Sequence, residues 1–170
     1  KDVEYFLQRK AIEFARQGIG QTHLVFTSYK NDIVLIGYFA LAMKDIFVSN
    51  RAHINNRWKQ RLKRFATNEE SIGGYRVPAP LIGQLGKNFF NGYNKLISGD
   101  ELLKIALDKV KETQLIIGGK FVYLECEDKT PLVNFYTQNG FLEFGHRNLE
   151  KDERDSQSGE YLVQLLKYMG

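Results

Sequence analysis

Two stretches of the sequence carry residue types whose spacing could do chemistry. In the first, Leu81-Ile-Gly-Gln-Leu-Gly-Lys-Asn88 is followed by a polar-aromatic loop and then by Ser98-Gly-Asp-Glu-Leu-Leu103. A strand feeding a loop that opens a helix leaves the first helical N–H groups without internal partners. Those amides sit at the positive end of the helix dipole and make a place for a phosphate. Gly99 lets backbone approach an anion closely. The same residues also support a plainer role. Ser98-x-x-Glu101 is a capping box that satisfies the amides from within, and Asp100 and Glu101 repel a nearby phosphate.

The second stretch is Leu124-Glu-Cys-Glu-Asp128 followed by Thr130-Pro-Leu-Val-Asn-Phe-Tyr-Thr-Gln-Asn-Gly-Phe141. A strand ends, a short helix begins, and an Asn-Gly-Phe turn follows. Adjacent Phe135 and Tyr136 point in different directions on a helix, so one can enter the core while the other faces a cleft. A phenol titrates near 10, close to an alkyl thiol, which suits tyrosine to protonating a thiolate leaving group. Core and rim packing explains the same pair without chemistry.

A third feature is charge. Arg51, Arg57, Lys59, Arg61, Lys63 and Arg64 fall between residues 51 and 66 with no acid among them. A solvated helix face and a surface that tracks RNA phosphates both fit this pattern. Cys126 reads as a small core residue. His23, His53 and His146 lack the spacing of metal ligands, so no metal site is expected.

The elements that must position these residues follow from periodicity. Residues 3–17 read as a helix, with Val3, Phe6, Leu7, Ile12 and Phe14 as its apolar positions and Gly18 and Gly20 as its stop. Strands are expected over 22–29 and 33–43, joined as a hairpin by Lys30-Asn31-Asp32. Ile54, Trp58, Leu62 and Phe65 give one face of a helix over 51–66. A loop over 69–74 precedes a strand over 75–86, whose Pro78 and Pro80 imply a strand start or a sheet edge. A helix over 98–113 carries Leu102, Leu103, Ile105, Ala106, Leu107 and Val110. A strand over 121–127, a helix over 132–138 and strands over 141–144 and 161–168 complete the chain. The sum is a mixed α/β (α+β) fold, a largely antiparallel sheet with helices packed on it.

Bulk properties agree. A chain of 170 residues, 43% hydrophobic and 13% aromatic, suits one globular domain over 1–170. A net charge of +4 permits an anionic partner without demanding one. One cysteine excludes an internal disulfide and fits a reducing, cytoplasmic location. No apolar run reaches the ~20 residues of a membrane-spanning helix, so no membrane partner is expected. The chain opens on Lys1 and not on Met, which fits a longer protein with an opening strand outside the sequence read.

Taken together, these segments resemble the GNAT superfamily of N-acetyltransferases. Leu81–Asn88 looks like the strand that carries acetyl and pantetheine contacts. Asn94-Lys-Leu-Ile-Ser-Gly99 sits where the family has its Gln/Arg-x-x-Gly-x-Gly/Ala pyrophosphate loop, and Phe135-Tyr136 with Gly140-Phe141 matches the Phe-Tyr-x-x-x-Gly-Phe signature. The opening Asp2-Val-Glu-Tyr-Phe-Leu7 with Gly18-Ile-Gly-Gln-Thr-His-Leu-Val25 resembles the GNAT-type toxins of bacterial toxin–antitoxin pairs, which acetylate the amino acid on aminoacyl-tRNA. Asn94 and Ile97 depart from the family loop; only Gly99 of its pattern survives.

The resemblance implies acetyl-CoA as co-substrate, lying between the strand ending at Asn88 and the strand ending at Glu127. Its pyrophosphate would meet the Asn94 loop and the amides of Ile97, Ser98, Gly99 and Asp100. Its pantetheine would meet backbone of Leu85, Gly86 and Lys87. It implies Tyr136 as the acid. Strand alternation makes Glu125 one candidate base for the attacking amine, His23 is another, and an α-amine titrating near 8 leaves a dedicated base dispensable. It implies a primary-amine acceptor, with Arg57, Arg61 and Arg64 docking a tRNA backbone. An antitoxin is an implied partner and a homodimer an admissible assembly. A small-molecule or protein N-acetyltransferase and a degenerate CoA-binding domain remain as alternatives.

Overall fold

The computed structural model describes residues 6–151, 153–154 and 159–170. Residues 3–5 of the expected opening helix, and part of the toxin-like opening, lie outside the described residues. A wide π-type turn over Phe6–Lys10 leads into a short helix, α1 (Ala11–Arg16). The strands β1 (Gly20–Tyr29) and β2 (Asp32–Ser49) form the expected antiparallel hairpin. Lys30 and Asn31 both adopt positive φ at its tip, as a tight two-residue turn matched to strand twist requires.

Helix α2 (Asn56–Phe65) is shorter than its apolar spacing implies because Asn55 caps it, accepting from the Trp58 amide at 3.1 Å. Ile54 therefore lies before the helix. A three-residue strand β3 (Thr67–Glu69) and a 3-10 turn (Glu70–Ile72) replace the expected loop. They lead to β4 (Gly74–Lys87), the 3-10 stretch Phe90–Leu96 and the long helix α3 (Gly99–Ile117). The rest is β5 (Phe121–Glu127), α4 (Thr130–Gln138), β6 (Leu142–Asn148) and β7 (Tyr161–Tyr168).

The seven strands form one sheet in the order β1-β2-β4-β5-β7-β6, with β3 on β4. Strand β4 is therefore interior, which corrects the edge or strand-start placement expected from Pro78 and Pro80. Each proline withdraws one N–H from the ladder, and a strand of 14 residues retains donors on both sides of the gap. β5–β7 and β6–β7 are antiparallel, the latter with an irregularity between Glu143 and Gly145.

The chain packs as two compact units. The first comprises 1–42 and 82–116. Within it, α3 buries Leu102, Leu103, Ala106 and Val110, and a smaller cluster joins Ala11, Tyr38 and Ala40 with Leu7 and Phe14. The second comprises 43–81 and 117–170. Its core gathers Ile46, Val48, Val77, Phe121, Tyr123 and Leu166 around Trp58 and Leu62 of α2. Each large apolar side chain buried there contributes about 1.5–3 kcal/mol, which fixes α2 by one face and leaves its basic face outward.

Candidate active site

In the first unit, the tail of β4 and the head of α3 share an open cleft of about 500 Å³ lined by Lys87, Asn94, Lys95, Leu96, Ile97, Ser98 and Glu101. Four of the residues named from the sequence, Lys87, Asn94, Ile97 and Ser98, thus come together. Lys87 donates from its ammonium to the Ile97 carbonyl at 3.3 Å. Ile97 stands where the family pattern has glycine, but its φ of −146° and ψ of 139° are ordinary extended backbone. Its buried side chain anchors the loop without strain. Gly99 and Asp100 open α3 immediately behind this rim.

The capping box closes in both directions. The Ser98 amide donates to the Glu101 carboxylate at 2.7 Å, and the Glu101 amide donates to Ser98 Oγ at 3.1 Å. Bonds to the carboxylate from the Ser98 amide and, second, from the Ser98 side chain hold the Glu101 carboxyl below its usual titration range. Ser98 N–H, one of the amides expected to grip a diphosphate, is therefore already engaged, and a negative charge stands in the cleft.

A second cavity of about 700 Å³ opens along the same strand tail, between Leu7, residues 35–38 of β2 and residues 85–90. Leu85, Gly86 and Lys87 all line it. Gly37 is required here: a Cβ would sit 3.0 Å from the Gly86 carbonyl oxygen and 3.2 Å from the Leu102 methyls. Asn88 braces the wall, its amide donating to Ile36 O and its side chain to Leu35 O, each at 2.8 Å.

In the second unit, α4 ends in a Schellman motif. Phe141 N–H donates to Tyr136 O at 3.1 Å and Gly140 N–H to Thr137 O at 3.0 Å, with Gly140 at φ +83°. The rings of Tyr136 and Phe141 meet edge-to-face at 5.8 Å, supplying the apolar contact of the motif. The signature spacing Phe-Tyr-x-x-x-Gly-Phe is thus the geometry of a helix end that pins Tyr136. Lys167 adds a bond to the Asn139 carbonyl at 2.7 Å. Of the adjacent pair, Tyr136 is the buried ring and Phe135 is half-buried. Its hydroxyl has no hydrogen-bond partner among the described residues. Burial first, and Cys126 second, push its phenol up to about 12, so it remains protonated at neutral pH. Burial likewise raises the Cys126 thiol to about 11, which leaves it protonated and unsuited to nucleophilic attack.

The two expected bases each make close contacts with neighbouring side chains. Both oxygens of Glu125 are held by Arg147, at 2.8 Å from Nε and 2.6 Å from Nη2, and the Tyr123 hydroxyl donates to the same carboxylate. Arg147 also forks onto Glu153 at 2.9 Å, and Gln164 donates to the Tyr123 oxygen at 2.8 Å. No local pattern signals this network, because Arg147 lies 22 residues from Glu125 and only the β5–β7–β6 order brings them together. His23 stacks on Phe39 with ring centroids 4.9 Å apart and planes 10° apart. Burial, then Lys109, lowers its pKa.

On α2, Arg57, Lys59, Lys63 and Arg64 are exposed and form no ion pair among the described residues. Two of the arginines also pack on rings: the Arg61 guanidinium lies over Tyr168 at 4.2 Å and over Trp58 at 5.2 Å, and that of Arg64 over Phe65 at 5.1 Å.

Element order and sheet topology give a mixed α+β fold of the GNAT type. No protein-family model matches the sequence, and no curated protein matches it. Solved structures do. A tyrosine-to-phenylalanine mutant of the toxin AtaT aligns with a TM-score of 0.60 at 16% identity, over 96% of this chain and 76% of that one. AtaT complexed with acetyl-methionyl-tRNAfMet aligns with a TM-score of 0.58 at 16% identity, over 96% of this chain and 80% of the other. A tyrosine-to-phenylalanine mutant of KacT aligns with a TM-score of 0.60 at 12% identity, over 96% of this chain and 80% of the other. At these identities the likeness is one of fold.

Proposed function

We propose that this chain is an acetyl-CoA-dependent N-acetyltransferase acting on a primary amine, the α-amine of an amino acid carried by tRNA. The observation that carries the reading is the fold likeness, over 96% of the chain, to a toxin solved with acetyl-methionyl-tRNA and, in another structure, with acetyl-CoA. Bound acetyl-CoA supplies an activated acyl group; the chain's residues bind, orient and move protons. Lys87 and the head of α3 fit a diphosphate by charge and dipole. Backbone of Leu85, Gly86 and Lys87 orients the thioester and its carbonyl. Most of the rate gain comes from holding two reactants in register.

Tyr136 holds a proton on its phenol oxygen, and we assign to it the protonation of the departing thiolate. Glu125 is not assigned proton removal, since its carboxylate is engaged by Arg147 and Tyr123. An α-amine titrates near 8, so a useful neutral fraction exists without a dedicated base. The outward face of α2, with Arg57 and Arg64 at its ends, is assigned to the RNA backbone. A protein antitoxin is proposed as partner, by analogy with AtaT bound to the C-terminus of AtaR.

One observation favours a second reading, a GNAT-like domain without turnover: the capping box already engages the Ser98 amide. Titration with acetyl-CoA separates the two. For the enzyme, incubation with acetyl-CoA and a pool of charged tRNA yields N-acetyl-aminoacyl-tRNA. The double change Arg57→Glu/Arg64→Glu lowers that yield and flattens its salt dependence. Acetylation of free polyamines or protein N-termini with charged tRNA untouched would refute the tRNA assignment; absence of acetyl-CoA binding would refute the enzyme.

A further inference from the structure

The 700 Å³ cavity falls within the roughly 300–1,000 Å³ of small-ligand pockets. One wall is the backbone of the β4 tail, Leu85 to Lys87, where the proposed function places the thioester. The remaining walls are apolar: Leu7, Leu35, the Tyr38 ring, Phe89 and Phe90. Phe89 and Phe90 are 71% and 69% exposed, an unfavourable placement for two adjacent rings unless something apolar covers them.

Two polar side chains on this lining, Asn88 and Lys87, are turned to other work. Asn88 donates from Nδ2 to Leu35 O and accepts from Phe90 N–H at 3.0 Å, so its amide braces the wall. The Lys87 ammonium reaches the Ile97 carbonyl. No aspartate or glutamate lines the cavity. A polycationic acceptor would find no counter-charge here, and a polar side chain would lose its water without gaining a partner, at a cost of about 1–3 kcal/mol per group.

We infer that this cavity takes the apolar side chain of the amino acid whose α-amine is acetylated, a leucine-, methionine- or phenylalanine-class residue with its carboxyl tied up as an ester. The inference rests on the acetyltransferase reading above and narrows its substrate. Gly37 keeps the floor open beside the Gly86 carbonyl, and Leu35 and Phe89 contact the side chain.

The test uses the whole chain, labelled acetyl-CoA and tRNAs charged separately with leucine, methionine, phenylalanine, glycine, aspartate and lysine. The expected kcat/KM for the three apolar residues exceeds that for glycine by about tenfold or more, the scale on which missing methylenes are discriminated. Phe89→Asp, an exposed position that leaves the core intact, brings the apolar and glycyl values to within about threefold. Glycyl or aspartyl acceptors used as well as leucyl, or an unchanged preference in Phe89→Asp, overturns the inference while leaving the enzyme standing. A preference for long-chain acyl-CoA with no dependence on the acceptor side chain overturns it too, assigning the cavity to the donor. Acetyl-CoA binding without transfer to any charged tRNA refutes the tRNA assignment itself, and the inference with it.

Discussion

Replacing Gly140 with alanine tests whether the helix end after Tyr136 is a positioning device. Gly140 sits at φ +83°, where an L-residue is disfavoured by about 1–2 kcal/mol. Its added Cβ would lie 2.6 Å from Lys167 Nζ. That ammonium is the end of a flexible chain and can move, but moving breaks its 2.7 Å bond to the Asn139 carbonyl, a loss of about 1 kcal/mol. The total is about 2–3 kcal/mol, or a fall of about 4–12 °C in melting temperature for a domain of this size. Lys167→Met removes only the second part. In a double-mutant cycle the two changes are expected to be sub-additive, because the methionine has already vacated the space and forfeited the bond. Differential scanning calorimetry of the four proteins reads both quantities. A Gly140→Ala protein that melts within about 1 °C of the parent, or strict additivity with Lys167→Met, would refute the reasoning. If the proposed role of Tyr136 holds, the same variant also loses turnover at unchanged acetyl-CoA affinity.

Three further outcomes are expected. Glu101→Gln keeps a capping residue at the third helical position but removes the negative charge from the cleft; calorimetric titration should show acetyl-CoA binding about two- to fivefold tighter. Tyr136→Phe should lower thiol release at saturating acetyl-CoA by about 10²–10⁴-fold with binding unchanged, the range of a lost general acid. Arg147→Ala strands Glu125, whose side chain is 12% exposed, and should lower stability in urea by about 2–4 kcal/mol, below the fully buried range because Arg147 itself is 22% exposed. The hydrogen bonds from Arg147 hold the Glu153 carboxyl below its ordinary range, so their stabilisation is complete above that range. It is lost as pH falls through the depressed value, and melting followed from pH 7 downward should lose part of its acid slope in Arg147→Ala.

Local signals were legible where one physical cause dominates. Strands β5 and β7 follow their sequence patterns residue for residue, because runs such as Phe121-Val-Tyr-Leu are buried on both faces. The capping box at Ser98 and Glu101 is a contact between near neighbours, and it forms as its spacing implies. Misreadings arose where outward residues look like an ending. β2 runs on to Ser49 although Lys44 and Asp45 are charged, because the inward positions Ile46 and Val48 keep the two-residue period. α3 continues to Ile117 because exposed Leu115 and Ile116 interrupt the apolar face without ending the hydrogen-bond ladder. The surroundings of Glu125 were illegible for a different reason. A carboxylate on a strand says nothing of the arginine that arrives from another strand, and the pairing order that delivers it is a property of the whole sheet.

The head of α3 shows why one motif supported two roles. Counting its amides decides what a ligand must displace. Ser98 and Glu101 satisfy each other, so an arriving diphosphate competes with a carboxylate and not with water. A diphosphate carries more charge and more acceptor oxygens than one carboxylate, and bonds from amides to such an anion are the stronger kind. The Ile97 backbone is already extended and its side chain anchored, so the loop needs no refolding to receive it. Exchange then asks only that the exposed Glu101 side chain rotate outward, leaving the Ser98 hydroxyl to cap the helix alone. On the proposed function, a capping box in this position acts as a placeholder that protects the amides until an anion arrives. Glu101→Gln is the discriminating variant. A placeholder weakened in charge admits the ligand more readily, whereas a purely structural cap leaves acetyl-CoA affinity where it was.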